Sequence, residues 1–171
     1  MRTVELVLDP DLDDVVRGVW ERLRQAGLRS LATHTHVTNR PHLTLVAADA
    51  LTPAAEIVPA LPLEAELDGL IFLGKAVAWR VVLTDELRDL HATVWHALDG
   101  TRRNPLHAPE AWVPHISLAL NAPDHAAYDA ELAGLGVARG RFAAARSYDS
   151  VTRTVTTLRA GPPDPRPAPA P

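Results

Sequence analysis

The first half of the chain switches between strand-like and helix-like hydrophobic patterns. Apolar side chains at every second position over residues 3–8 predict a half-buried strand. Asp9 and Pro10 then start a helix, whose apolar positions recur at helical spacing until Gly27 ends it. The elements expected next are a short strand near 28–33, a polar loop over 34–41, a strand over 42–47 and a short helix around 53–60.

The second half continues in the same mixed style. Thr84 caps a second helix that ends at Gly100, and Pro123 with Asp124 starts a third helix that runs to about residue 133. Strands are expected at 63–68, 70–74, 77–83, 113–120, 139–147 and 151–159. Because strands and helices do not alternate strictly, the expected fold is α+β with antiparallel sheets.

The end of the sequence is a proline-rich tail. Six of the 15 prolines lie in residues 161–171, which cannot build a helix or a strand ladder and are expected to be extended, solvated and disordered. The remaining residues, 1–160, are expected to form one domain, because a chain of 171 residues is long enough for one sizeable core.

One short pattern occurs twice. Pro41-His42-Leu43-Thr44-Leu45 and Pro114-His115-Ile116-Ser117-Leu118 match at all five positions when Ile replaces Leu and Ser replaces Thr. The copies lie 73 positions apart, close to half of the folded body, and each begins a predicted strand. The repeat predicts a fold of two pseudo-symmetric lobes.

The strand period decides which side chains of each copy share a face. His42 and Thr44 point to one side of their strand, while the neighbouring leucines point into the core. His115 and Ser117 do the same in the second copy. A pseudo-twofold axis between the lobes would bring the two pairs together across a groove.

This set of groups suits phosphate ester chemistry. Two histidines in opposite protonation states provide a general base and a general acid near neutral pH, and two hydroxyls can donate hydrogen bonds to the non-bridging oxygens of a phosphate. In-line displacement at a phosphodiester fits, and a strained cyclic phosphate is the easiest such substrate. The reaction requires no metal, no cofactor and no covalent nucleophile, so none is expected.

Composition narrows the alternatives. The formal charge of −4 argues against a protein that coats DNA through many phosphate contacts. The absence of cysteine excludes disulfides, iron–sulfur clusters, cysteine-based zinc fingers and a cysteine nucleophile. The arginines nevertheless cluster near the end, where five of them oppose the single acid Asp149 over residues 132–163, a weak indication of an anionic ligand: Arg139, Arg141, Arg146, Arg153 and Arg159.

The two motifs, His42-Leu43-Thr44-Leu45 and His115-Ile116-Ser117-Leu118, resemble the paired H-x-[ST]-x signature of the two-histidine (2H) phosphoesterases. Within them the chain is most similar to the bacterial 2'-5' RNA ligase family, and Asn39-Arg40-Pro41 and Trp112-Val113-Pro114 agree. The resemblance implies a duplicated α+β fold with two antiparallel sheets lining a central groove and helices outside. It implies His42 and His115 as the catalytic pair, with Thr44 and Ser117 binding the phosphate of an RNA end or small nucleotide carrying a 2',3'-cyclic phosphate or a related 2'-5' linkage.

The sequence is also compatible with other functions. The same groove could bind a nucleotide or RNA end without catalysis, or His34 and His36 could join His42 in a metal-dependent hydrolase. His91 and His96 are expected on a helix surface. The sequence does not settle the direction of the reaction, which histidine is the acid, or the roles of Arg40, His107, Trp112, Arg146 and Tyr148.

The chain shows no run of about 20 apolar residues that a membrane helix needs, and Glu5 interrupts what would be the apolar part of a signal peptide. The expectation is therefore a cytoplasmic monomer without membrane contact.

Overall fold

The computed structural model describes residues 1–51 and 61–159, so the helix expected around 53–60 and the tail 161–171 lie outside the described residues. Short 3₁₀ turns occur at Leu31–Thr33 and Pro105–His107. The described strands and α-helices follow the order β1 (Arg2–Leu8), α1 (Pro10–Gln25), β2 (His42–Ala48), β3 (Leu63–Leu73), β4 (Ala76–Val81), α2 (Asp85–Ala97), β5 (His115–Ala119), α3 (His125–Glu131), β6 (Ala138–Asp149) and β7 (Thr154–Arg159).

The strands form one large antiparallel sheet in the order β1-β2-β5-β4-β3-β6-β7, and β1 also pairs with β6. The mixed fold of helices and antiparallel strands is as predicted, but the expected two separate sheets are not seen. The reason is the length of β6, which pairs with β3 over 138–142 and with β1 over 142–149 and so joins the two halves.

The element order repeats within the sheet. A strand, a helix and a returning strand occur as β1-α1-β2 and again as β4-α2-β5, and β2 lies beside β5. β2 and β5 share a single residue pair, Leu43 with Ile116, which are the equivalent positions of the two sequence motifs. This is the arrangement that a duplicated fold with a central pseudo-twofold axis requires.

The helices pack their apolar stripes onto the sheet. Leu12, Val16 and Leu23 of α1 are buried, as are Leu87 and Leu90 of α2, in one cluster with the inward-facing strand residues. Burying each such side chain stabilises the fold by about 1.5–3 kcal/mol. Both helices start where predicted: the Asp9 carboxylate accepts from the Leu12 N–H at 2.9 Å and the Thr84 hydroxyl accepts from the Leu87 N–H at 3.2 Å. Across the described ranges, no helix has both the length and the apolar character to cross a membrane.

Two element predictions need correction. The strand expected near 28–33 is wrong: Ser30 caps a 3₁₀ turn instead, accepting from the Ala32 N–H, while its hydroxyl donates to the Trp20 carbonyl at 2.5 Å. The two strands expected at 63–68 and 70–74 are one continuous strand, β3. The register slips between Leu67 and Leu70, where Gly69 adopts a φ of +83° that suits glycine.

Candidate active site

Both motif strands place their residues as the alternation predicts. Leu43 and Ile116 are fully buried, whereas His42, Thr44, His115 and Ser117 are half-buried. Because Leu43 pairs with Ile116 on antiparallel strands, His42 lies opposite Ser117 and Thr44 lies opposite His115. The four predicted site residues therefore come from two neighbouring strands of the sheet, β2 and β5.

The two imidazoles are held in the same way. His42 Nδ1 lies 2.7 Å from the Arg40 carbonyl, and His115 Nδ1 lies 2.7 Å from the Val113 carbonyl, in each case the residue two positions earlier. Because a carbonyl only accepts, Nδ1 must carry the hydrogen in both rings. The Nε2 atoms are thus the ones left to exchange protons with a substrate.

A cavity of about 510 Å³ opens beside these strands, within the range typical of ligand sites. His42, Thr44 and Ser117 line it, whereas His115 is not among its lining residues. Burial lowers the pKa of His115, the charge of His42 lowers it further, and the bond to the Val113 carbonyl opposes the shift. The two rings therefore interact electrostatically, and His115 stays neutral to lower pH than a free histidine.

A buried acid that was not predicted to belong to the site lies next to His42. Glu5 of β1 is only 2% exposed. Its Oε2 accepts from Arg146 Nε at 2.8 Å and its Oε1 accepts from the Thr3 hydroxyl at 2.6 Å. Oε1 also lies 3.6 Å from His42 Nε2. The alternating pattern correctly put Glu5 on the polar face of its strand, but no local signal revealed a partner 141 positions away.

The arginine cluster near the end of the chain divides between two functions. Arg139 and Arg141 form exposed cross-strand ion pairs with Glu66 and Glu64 on β3, at 2.6 and 3.1 Å. Arg146 and Arg153 line the cavity. The cluster therefore supplies two cationic groups to the site, and two others, Arg139 and Arg141, are paired on the surface.

Two other side chains with open roles also line the cavity. Tyr148 lies two positions beyond Arg146 on β6, on the same face of the strand. The Arg40 guanidinium lies 2.8 Å from Asp13 and its Nη2 donates to the Leu8 carbonyl at 3.3 Å, which ties the loop before β2 to α1 and to the end of β1.

Two tryptophans hold the motif strands, one from each of the repeated units β1-α1-β2 and β4-α2-β5. The Trp20 indole N–H, on α1, donates to the Ser117 carbonyl at 3.0 Å. The Trp112 N–H, in the loop before β5, donates to the Thr44 carbonyl at 3.0 Å. Each repeated unit thus donates a hydrogen bond to the backbone of the hydroxyl residue in the other unit. Trp112 is only 9% exposed, and its contact with the Thr44 carbonyl holds β2 in place.

His91 and His107 lie next to each other, with 3.1 Å between His91 Nε2 and the His107 carbonyl oxygen; His91 is buried and His107 is half-buried. His91 is 2% exposed and stacks on Trp112 at 3.8 Å between ring centres, so its expected place on the helix surface is wrong, whereas His96 is exposed. His107 Nδ1 accepts from the Ala47 N–H at 2.9 Å. Burial, with the charges of His115 and His91 adding to it, lowers the pKa of His107 to about 4.

In the described part of the chain, no group of three or more His, Asp or Glu side chains could hold a metal ion at the alternative site. His34 and His36 line the same cavity as His42. The His36 ring is engaged by Thr38, with 2.8 Å between Nδ1 and the hydroxyl oxygen.

The two histidine-and-hydroxyl motifs lie on neighbouring strands that meet at one residue pair, and together with the family match they identify a protein of the 2H phosphoesterase class. The chain belongs to the 2'-5' RNA ligase superfamily, whose family model matches residues 10–152, and the resemblance drawn from the two motifs is confirmed. The fold is similar to that of the MHV ns2 PDE domain, with a TM-score of 0.51 and 13% identity over 82% of this chain and 97% of that one. No curated protein sequence matches the chain.

Proposed function

We propose that the chain is a metal-independent phosphoesterase that opens 2',3'-cyclic phosphates, or cleaves related 2'-5' linkages, at the ends of RNA or on small nucleotides. Membership of the superfamily supports phosphoester chemistry in general. The choice of a cyclic substrate and of hydrolysis over ligation is argued from the imidazoles and hydroxyls at the site.

The observation that carries the proposal is the matched pair of imidazoles. Both rings hold Nδ1 on the carbonyl two residues earlier, which leaves two Nε2 atoms for proton exchange. A module that only binds an RNA end needs hydroxyls and cations, but it does not need a second imidazole fixed in the same tautomer. Acid–base catalysis needs both.

The reaction follows from these groups. One Nε2 removes a proton from water as the water oxygen attacks phosphorus, and the phosphorus bond to one ribose oxygen breaks. The other Nε2 donates its proton to that oxygen, so the product is a phosphate monoester with a free neighbouring hydroxyl. The hydroxyls of Thr44 and Ser117 donate hydrogen bonds to the non-bridging oxygens, where charge develops.

The test is hydrolysis of a 2',3'-cyclic nucleotide in the presence of EDTA by the wild type, His42→Ala and His115→Ala. We expect turnover that survives the chelator and falls by about 10²–10⁴-fold in each variant. His96→Ala is the matched control, because that ring is exposed on α2, away from the cavity, and its removal should leave the rate unchanged.

Two outcomes would contradict the proposal. Loss of wild-type activity in EDTA would point to a metal-dependent hydrolase. A folded wild type that binds the cyclic nucleotide, measured by calorimetry, without turning it over would instead support the non-catalytic binding module.

A further inference from the structure

A second cavity adjoins the one that the motif residues line. Its volume is about 270 Å³, and it shares His34 and Leu120 with the larger cavity as lining residues. Leu120 follows β5 directly and is exposed. Asn121, which also lines the second cavity, is four residues beyond Ser117, so the two lie at most about 14 Å apart along an extended chain. The second cavity therefore begins close to the second motif.

The volumes of the two cavities suggest one ligand rather than two. Ligand sites in proteins usually measure about 300–1,000 Å³. The larger cavity, at about 510 Å³, lies within this range, whereas the second, at about 270 Å³, lies below it. The second cavity is thus better suited to hold an extension of a ligand bound in the larger one than to bind a ligand of its own.

The second cavity is lined by polar side chains that have no partner within the described residues. Arg29, His34 and Asn121 make no side-chain hydrogen bond or ion pair there. In contrast, the Thr33 hydroxyl on the same cavity donates to the Ser30 carbonyl at 2.8 Å. The cavity therefore offers a guanidinium, an imidazole and a carboxamide to a ligand.

The backbone beneath these side chains is held in place. The hydroxyl of Tyr128, a buried residue of α3, donates to the Arg29 carbonyl at 3.0 Å, and the Asn39 amide donates to the His34 carbonyl at 2.8 Å. Asn121 has a φ of +53°, which is uncommon for residues other than glycine and recurs at ligand sites. Fixed backbone with free side chains lowers the entropy that a ligand loses on binding.

The charge of Arg29 indicates what the second cavity binds. Arg29 is exposed, and within the described part of the chain no carboxylate pairs with it. A guanidinium matches two oxygens of a phosphate through parallel hydrogen bonds. Arg153, which likewise has no ion pair to a described residue, lines the larger cavity instead. Arg29 is therefore placed for a phosphate other than the one at the motifs.

We propose that the second cavity binds the nucleotide that precedes the cyclic phosphate, with Arg29 on the phosphodiester that joins it to the terminal nucleotide. This inference rests on the proposed function. The terminal nucleotide occupies the larger cavity, with its cyclic phosphate at His42, Thr44 and Ser117. The preferred substrate is then the 3' end of an oligonucleotide of at least two nucleotides, because a free cyclic mononucleotide leaves the second cavity empty.

The first test compares kcat/KM for three substrates: a 2',3'-cyclic mononucleotide, a dinucleotide with the same cyclic end, and that dinucleotide with a neutral methylphosphonate linkage. We expect the wild type to prefer the charged dinucleotide to the mononucleotide by about 10–100-fold, and the methylphosphonate to lose most of this preference. In Arg29→Gln the ratio of dinucleotide to mononucleotide should fall by about 10–100-fold, and the two dinucleotides should react alike. Arg29→Lys should retain part of the preference.

Arg102→Gln is the matched control, because it removes the same charge from an exposed arginine that lines neither cavity, and it should keep the wild-type ratio. Asn121→Gly removes the carboxamide at a position where glycine accepts the positive φ, and it should lower the ratio by about 2–10-fold.

The second test is the salt dependence of kcat/KM. One further phosphate contact on a single strand should make the slope of log kcat/KM against log salt steeper by about 0.7 for the charged dinucleotide than for the mononucleotide. This difference should disappear in Arg29→Gln and persist in Arg102→Gln.

The outcomes separate the second cavity from the function. Equal kcat/KM of the wild type for the mononucleotide and the dinucleotide overturns the role of the second cavity and leaves the protein a phosphoesterase. Loss of the preference in Arg153→Gln but not in Arg29→Gln overturns it too, and places the preceding nucleotide at the turn between β6 and β7. If the wild type hydrolyses none of the three substrates, the proposed function fails, and this inference fails with it.

Discussion

Acid should weaken this fold through His107, a residue outside the catalytic pair. In the folded protein burial lowers the pKa of His107 from its ordinary value of 6.5 to about 4. Between these two values the unfolded chain binds a proton at this ring and the folded chain does not. The contribution of His107 to the free energy of unfolding is therefore intact above pH 6.5 and is lost progressively as the pH falls toward 4.

The size of the loss in free energy of unfolding follows from the difference in bound protons between the unfolded and the folded chain. Each pH unit in this window lowers the free energy of unfolding by about 1.4 kcal/mol for one ring. At pH 5, about 1.5 units below the ordinary pKa, the loss from His107 is about 2 kcal/mol. For a domain of this size that corresponds to a drop in Tm of about 4–8 °C. His91 and His115, whose pKa values burial also lowers, act in the same direction.

The assay is urea unfolding at several pH values from 7.5 to 5 for the wild type and His107→Asn. The amide oxygen of asparagine can still accept from the Ala47 N–H, so the substitution removes the titration while it keeps the hydrogen bond. We expect the wild type to lose about 2 kcal/mol more than His107→Asn over this range. His96→Asn, at an exposed ring, should behave as the wild type. Equal losses in the wild type and His107→Asn would refute the reasoning.

Two further substitutions test the packing of the sheet and the strand contacts, both by urea unfolding. Gly140→Ala should destabilise the fold by about 1–3 kcal/mol, because the new Cβ would lie 2.8 Å from both Asp9 Oδ2 and Leu12 Cβ. Gly136→Ala is the control, because a Cβ there would lie in open space. Equal stability of the two variants would contradict the expectation. Trp112→Phe should cost about 1–3 kcal/mol, because the Thr44 carbonyl loses its donor, and should raise the KM for a cyclic nucleotide. Trp95→Phe, at a half-buried ring that packs against the core, should do neither, and a matching rise in KM there would count against a role for the Thr44 contact.

The elements and the motif faces could be predicted because they depend on neighbours in sequence. Alternation around His42 and His115 predicted which side chains of β2 and β5 enter the core, and Asp9 and Thr84 marked helix starts through local caps. The strand expected at 28–33 failed because apolar residues there serve a capped 3₁₀ turn after α1, which short-range apolar patterns do not distinguish from a strand.

The rest of the site depends on long-range pairing, which one sequence does not display. Glu5 and Arg146 meet because β1 pairs with β6, and Trp20 meets the Ser117 carbonyl because α1 packs beside β5. Burial of His91 depends in the same way on the loop that carries Trp112. Each partner looked like an ordinary strand or helix residue until the topology brought the two together.

The pairing of β1 with β6 has a consequence for the order in which the protein can be made. β1 is synthesised before β6, so Glu5 waits for Arg146, 141 positions later, a delay of about 7–28 s at ordinary rates of synthesis. Until then β1 lacks one of its two neighbours in the sheet, and the acid beside His42 has no counter-charge. A chain interrupted before β6 would expose a strand edge that can pair with other chains. The surroundings of Glu5 and His42 are thus completed only when β6 joins β1 to β3.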